Sequence, residues 1–168
     1  MINLRKTLEI ARTQLESAHI SFALIGGFAL SAHGIHRATK DIDLLVDGSK
    51  KEEIKKKFLS QGFKLSYESE EVLQFHGPGY LDIILANRPL SLEMLKNSSN
   101  YKLLDIPVVS PEGIIGLKIQ AYKNDPSRKL QDLADIQDLL KIPGVNLNKI
   151  KEYADLFNEW IEIERLIK

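Results

Sequence analysis

The chain contains no cysteine. That excludes a disulfide framework, a thiolate metal site and a cysteine nucleophile. It also lacks a surplus of either charge: 23 Lys and Arg balance 23 Asp and Glu. Such a balance argues against a protein held on nucleic acid mainly by phosphate neutralisation, although it leaves room for a local basic cleft. No apolar run approaches the length of a membrane span. The opening stretch, "MINLRKTLEIARTQLESAH", is amphipathic and charged throughout, without a secretory apolar region. A cytoplasmic protein with no membrane partner is therefore expected. Internal repeats and low-complexity segments are absent as well.

What remains is an ordinary globular composition. At 168 residues, 43% hydrophobic and 27% charged, the chain suits one domain with a real core, with or without a helical appendage. Residues 4–17 place Leu8, Ile10, Ala11 and Leu15 at helical spacing. "ISFALI" is a short apolar strand closed by Gly26-Gly27, and "FALSAHG" reads as two helical turns ending at Gly34. "DIDLLVD" is the second strand. A charged helix follows, with Ser49 as its expected N-cap and Gly62 at its end. "FKLSYE", "VLQFHG" and "YLDIILA" read as three further strands. "YKLLDIPVVS" reads as a last strand or edge, and Ser110-Pro111 opens a helix to about Asn124. A further helix covers about residues 127–141, and one or two more finish the chain. The expected fold is thus α/β (α+β): a small mixed-sheet core over residues 1–109, then a helical C-terminal region over 110–168.

Along a strand, side chains alternate faces, so Asp41 and Asp43 point the same way. Two carboxylates so close repel unless a divalent cation bridges them, and oxygen ligands select a hard ion such as Mg²⁺ or Mn²⁺. The bland alternative is a wet strand edge. Asp82 sits inside the apolar run "GYLDIILA", where propensity and burial both disfavour aspartate. If its strand lies beside "DIDLLVD", three carboxylates converge; otherwise Asp82 caps the turn after Pro78-Gly79. Gly26-Gly27, between a strand and a helix, lets backbone N–H groups approach an anion such as a triphosphate, or serves only a tight turn.

Together these pieces resemble the DNA polymerase β-like nucleotidyltransferase superfamily: Gly-Gly after a strand, a short helix, Asp-x-Asp on the next strand and a third Asp later. More narrowly, "GGFALSAHGIHRATKDIDLLV" resembles the abortive-infection, AbiEii-like branch, with Arg37, Thr39, Asp41 and Asp43 in place. "GLKIQAYKNDPSRKLQDLADIQDLL" resembles that branch's lysine helix and the acidic helix after it. The resemblance spans about residues 20–141.

It implies a metal-dependent transfer of a nucleoside monophosphate from a nucleoside triphosphate to an acceptor, with release of pyrophosphate. Asp41, Asp43 and Asp82 would be the catalytic and metal-holding residues for Mg²⁺ or Mn²⁺. Gly26, Gly27, Arg37, Thr39, Lys118 and Asp132 would serve nucleotide binding. An RNA 3′ end such as tRNA, a protein or a small molecule would be the acceptor, and a toxin role would bring a cognate antitoxin.

Several alternatives stand beside these readings. Lys118 lies on a stripe with Ile114, Ile115 and Tyr122, and Asp132 lies in line with Asp135, Ile136 and Leu139. The alternative is an ion pair joining two helices. Arg37 either neutralises triphosphate or braces its loop. His33, His36 and His76 show no ligand spacing. Lys50, Lys51, Lys55, Lys56 and Lys57, interleaved with Glu52 and Glu53, read as a solvated helix face that could guide an RNA. A catalytically inactive nucleotide- or partner-binding protein of the same fold is one competing function, and a DxD glycosyltransferase using a nucleotide sugar is another.

Overall fold

The computed structural model describes residues 2–167, and the chain divides into two compact units. The first holds residues up to 32 and 36–109; the second holds 33–35 and 110 onward.

In the first unit, helix α1 (Leu4–Ser17) begins where the Asn3 side chain accepts from the Lys6 N–H. Leu8, Ala11 and Leu15 bury its apolar stripe. Strand β1 (Phe22–Ile25) is followed directly by α2 (Gly26–Ala32). The first glycine of the pair therefore already belongs to the helix. Strand β2 (Asp41–Asp47) then leads through a 3₁₀ turn, Gly48–Lys50, into α3 (Lys51–Ser60). Ser49 is not the N-cap expected for that helix. Asp47 caps the 3₁₀ turn instead, accepting from the Ser49 N–H at 2.9 Å, and the α-helix starts after the turn. Gly62 does end the helical segment, at φ +84°.

Strands β3 (Lys64–Glu68), β4 (Val72–His76) and β5 (Tyr80–Ala86) follow. The stretch after Arg88 carried no expected element, yet it forms α4 (Pro89–Lys96). Proline stands in its first turn, where no N–H is needed, and Met94 and Leu95 are buried. The single last strand expected near residue 106 is two short ones, β6 (Ser99–Tyr101) and β7 (Ile106–Val108).

All seven strands form one mixed sheet in the order β3-β4-β5-β2-β1-β7-β6. β2 pairs parallel with β5 and antiparallel with β1, while β1 pairs parallel with β7. On one face of the central strands β2, β4 and β5, Ile42, Leu44, Val46, Leu73, Phe75, Leu81 and Ile83 are buried. Against it, Phe58 of α3 sits 5.3 Å from the Phe75 ring and 5.5 Å from that of Phe63, the latter edge-on. Because the residues alternate, the opposite face of β2, β4 and β5 carries Asp41, Asp43, Gln74 and Asp82.

The second unit is helical. α5 (Pro111–Asn124) starts at Ser110, whose hydroxyl accepts from the Gly113 N–H. A 3₁₀ turn (Pro126–Arg128) leads to α6 (Lys129–Leu140), and α7 (Leu147–Asp155) and α8 (Trp160–Ile167) complete it. α5 packs on α6 and α7, and α8 packs on α6 and α7. Among the described residues, no helix is long and apolar enough to cross a membrane.

The aromatic cluster makes a stability prediction. Phe58→Ala should cost about 3–5 kcal/mol in urea unfolding, because the lost ring leaves a cavity. Leu130→Ala, at a side chain 87% exposed, should change stability by no more than about 0.5 kcal/mol.

Candidate active site

The parallel pairing of β2 with β5 sets Asp43 level with Asp82 and Asp41 level with Tyr80. Three carboxylates thereby converge: one oxygen from each of Asp41, Asp43 and Asp82 lies within 4.8 Å of the others, and all three residues are half-buried. At about 4 Å and an effective dielectric constant of roughly 20, two like charges repel by about 4 kcal/mol. The wet strand edge and the turn cap weighed for these residues do not describe this arrangement.

Neutral donors hold two of the three. Thr39 Oγ1 donates to Asp41 Oδ1 at 2.7 Å, and Gln74 Nε2 donates to Asp82 Oδ2 at 3.1 Å. Both orient a carboxylate without cancelling its charge. Ligands of one hard cation lie about 2.0–2.6 Å from it, hence at most about 5 Å from each other. An all-oxygen set with this spacing fits Mg²⁺ or Mn²⁺.

Gly26 and Gly27 are required by these same residues. A Cβ on Gly26 would stand 2.6 Å from Asp43 Cγ, and one on Gly27 would stand 2.6 Å from Thr39 Cβ. Gly26 also has φ +64°, which side chains rarely adopt. The glycine pair thus admits the second aspartate and the threonine that holds the first. Arg37 lies half-buried in the loop between α2 and β2.

Lys118 and Asp132 belong to the second unit. Lys118 Nζ donates to Asp132 Oδ1 at 2.9 Å and to Asp135 Oδ2 at 2.6 Å, and all three residues are buried. Arg128 Nε reaches Asp132 Oδ2 at 3.4 Å, so two cations match two carboxylates. This ion pair joins α5 to α6.

Nearby, Glu159 accepts from Tyr122 Oη at 3.0 Å and from Lys123 Nζ at 2.8 Å. Burial works to raise the Glu159 carboxyl, but these bonds outweigh it and hold the group below its usual 4.5. Burial first, and then the Glu159 carboxylate, push the Tyr122 phenol far above its ordinary value of 10. The phenol stays a donor throughout the working range.

Two partners were not singled out from the sequence, Gln74 and Asp135. Gln74 had the same signal as Asp82, a polar side chain between buried Leu73 and Phe75. Asp135 lies three residues after Asp132, on the same helix face. The lysine run of α3 is a charged surface tied down locally: Lys55 Nζ bonds Glu68 at 3.1 Å, and Lys51 Nζ lies 3.3 Å from the same carboxylate.

Residues 10–77 match the family model described as "Nucleotidyl transferase AbiEii toxin, Type IV TA system". The match includes Gly26, Gly27, Arg37, Thr39, Asp41 and Asp43 and stops before Asp82. No curated protein sequence matches the chain. Among solved structures, the antibiotic-resistance factor ANT(2'')-Ia is similar at 16% identity and TM-score 0.69, over 95% of this chain and 94% of that one. The lincosamide antibiotic adenylyltransferase LnuA, solved with lincomycin, is similar at 20% identity and TM-score 0.59, over 84% and 98%. An antigenic nucleotidyltransferase-like protein from Paracoccidioides brasiliensis is similar at 18% identity and TM-score 0.57, over 98% and 91%. At these identities the likeness is one of fold.

Two measurements check this geometry. Gly26→Ala should destabilise the protein by about 1–3 kcal/mol through its strained φ and its clash with Asp43. Adding Asp43→Ala should recover the part due to the clash and leave the part due to φ, which a double-mutant cycle of urea midpoints resolves. For Glu159 the depressed pKa means that its contribution is present above pH 4.5 and is lost as the pH falls through the folded value. The stability gap between wild type and Glu159→Gln should therefore be flat above that pH and shrink below it.

Proposed function

We propose that this chain, an AbiEii-like nucleotidyltransferase of the polymerase β type, moves a nucleoside monophosphate from a nucleoside triphosphate to an acceptor hydroxyl at the Asp41–Asp43–Asp82 cluster. The observation that carries the reading is the convergence of those carboxylates within 4.8 Å on one sheet face, beside the glycine pair that makes room for them. A fold kept for binding alone would not need all three like charges gathered at such cost.

The reaction is an in-line substitution. The acceptor oxygen forms a bond to the α-phosphorus as the bond from that phosphorus to the bridging oxygen breaks, and pyrophosphate leaves with the electron pair. Asp41 and Asp43 would hold Mg²⁺ or Mn²⁺, and Asp82 would complete the ligand set. When bound, the divalent ions offset phosphate charge and favour the deprotonated acceptor oxygen. Asp82 takes up the hydroxyl proton, and Gln74 fixes its orientation. Thr39 keeps Asp41 turned into the cluster. Gly26, Gly27 and Arg37 serve the triphosphate at the same end of the sheet.

Nucleotide binding by Lys118 and Asp132 rests on the family resemblance alone. Lys118 Nζ is already held between two carboxylates, so the first task of the pair is to join its helices. A toxin role, with a cognate antitoxin as partner, follows from the description of the matched family.

The test is incubation with each α-labelled nucleoside triphosphate, Mg²⁺ or Mn²⁺, total RNA and cell lysate. Label should move to an RNA or protein band with wild type, and Asp43→Asn should reduce the transfer at least about a hundredfold. Absence of transfer, together with absence of metal-dependent triphosphate binding in calorimetry, would overturn the enzyme reading.

A further inference from the structure

The open face of the sheet does not end at the carboxylates. Two cross-strand rows continue outward from them. In one, Asp41 is level with Tyr80, Tyr80 with His76, and His76 with Lys64. In the other, Asp43 is level with Asp82, Asp82 with Gln74, and Gln74 with Tyr67. Residues level with each other on paired strands share a face. The second row exists because the register of β3 shifts between Leu65 and Tyr67. That irregularity returns Tyr67 to the Gln74 side, while Glu68 faces α3 and pairs with Lys51 and Lys55.

The outer members of both rows are open to solvent. Tyr67 is 53% exposed and Tyr80 51%, and Lys64 and His76 are exposed too. One exposed tyrosine in a strand is ordinary; two of them flanking Gln74 and Asp82, with a lysine and a histidine in the same rows, make a platform. Beside it lies a cleft of about 270 Å³, lined by Ile2, His76, Gly77, Pro78, Gly79 and Tyr80. The Gly26-Gly27 side of the cluster, next to β1, serves the triphosphate. The β4–β3 side is the direction from which an acceptor hydroxyl would reach Asp82.

We propose that Lys64, Tyr67, His76 and Tyr80 form the acceptor platform, and that the acceptor is a single-stranded nucleic-acid end. Its bases stack on Tyr67 and Tyr80, and its phosphates meet Lys64 and His76. Aromatic side chains on an open sheet face suit unpaired bases, since every base offers a ring face. The Lys64 cation on the platform complements phosphate and would oppose a cationic acceptor. A chain of zero net charge can hold such a strand because stacking, not phosphate neutralisation, supplies most of the energy. The inference rests on the transferase reading for the position of the reacting hydroxyl.

The experiment is binding of a fluorescein-labelled single-stranded RNA of about ten nucleotides, followed by anisotropy, with Mg²⁺-dependent triphosphate binding measured by calorimetry on the same samples. Tyr67→Ala and Tyr80→Ala should each weaken RNA binding by roughly tenfold, while the phenylalanine variants, which keep the ring, stay within about twofold of wild type. Lys64→Gln should lower the slope of log affinity against log salt by about one. Triphosphate binding and melting temperature should hold in every variant. If wild type binds triphosphate but no RNA, or the alanine variants bind RNA as wild type does, the platform is refuted while the transferase reading stands. If RNA binds through the tyrosines but triphosphate does not bind, the platform stands and the transferase reading falls.

Discussion

Everything distinctive about this protein depends on one pairing, the parallel contact of β2 with β5 that sets Asp43 beside Asp82. It brings like charges together, and the surrounding structure serves to keep them there. On the opposite face, Ile42, Leu44, Leu81 and Ile83 are completely buried, so the strands cannot slip by one residue without turning those side chains to water. On the carboxylate face, Thr39 and Gln74 supply neutral donors, and two glycines withhold the side chains that would collide with Asp43 and Thr39. A hydrophobic core on one side of a sheet thus secures an electrostatically costly cluster on the other. Such local cost held by well-packed surroundings is common at functional sites.

The helical unit handles charge in the opposite way. Lys118 enters an apolar stripe and meets Asp132 and Asp135, with Arg128 completing the balance, and Glu159 gathers Tyr122 and Lys123. Buried ion pairs of this type contribute little net stability against an apolar replacement, yet losing one partner is costly because the other is then stranded. The first unit gathers three carboxylates on one sheet face beside neutral donors; the second matches charge with charge.

Much of this was legible along the chain. Period-two alternation in "DIDLLVD" placed Asp41 and Asp43 on one face, and the apolar neighbours of Asp82 marked it as out of place for an ordinary strand. Ser110-Pro111 opened its helix where the chemistry of a cap and a first-turn proline requires. Other features escaped. Ser49 looked like a cap, but Asp47 took the role because its carboxylate reaches the N–H two residues on. α4 is short and packs on β2 and β5, so its existence depends on contacts made far away in sequence. Gln74 and Tyr67 gained their positions only from strand register, and the shift at Ser66 that turns Tyr67 around has no local signature strong enough to read.

The sequence by itself determined which side chains share a face of a regular strand such as β2, where most of the helices begin and break, and which residue types carry the chemistry. These follow from geometry within a few residues: the alternation of a strand, the turn of a helix, the φ that a glycine permits. Tertiary structure alone decided that Asp82 stands beside Asp43, that Gly26 is small for the sake of Asp43, and that Lys118 is shared by two aspartates. Each of these is a meeting of segments separated along the chain. Only hydrogen-bonded strand pairing and the burial of apolar faces can select them.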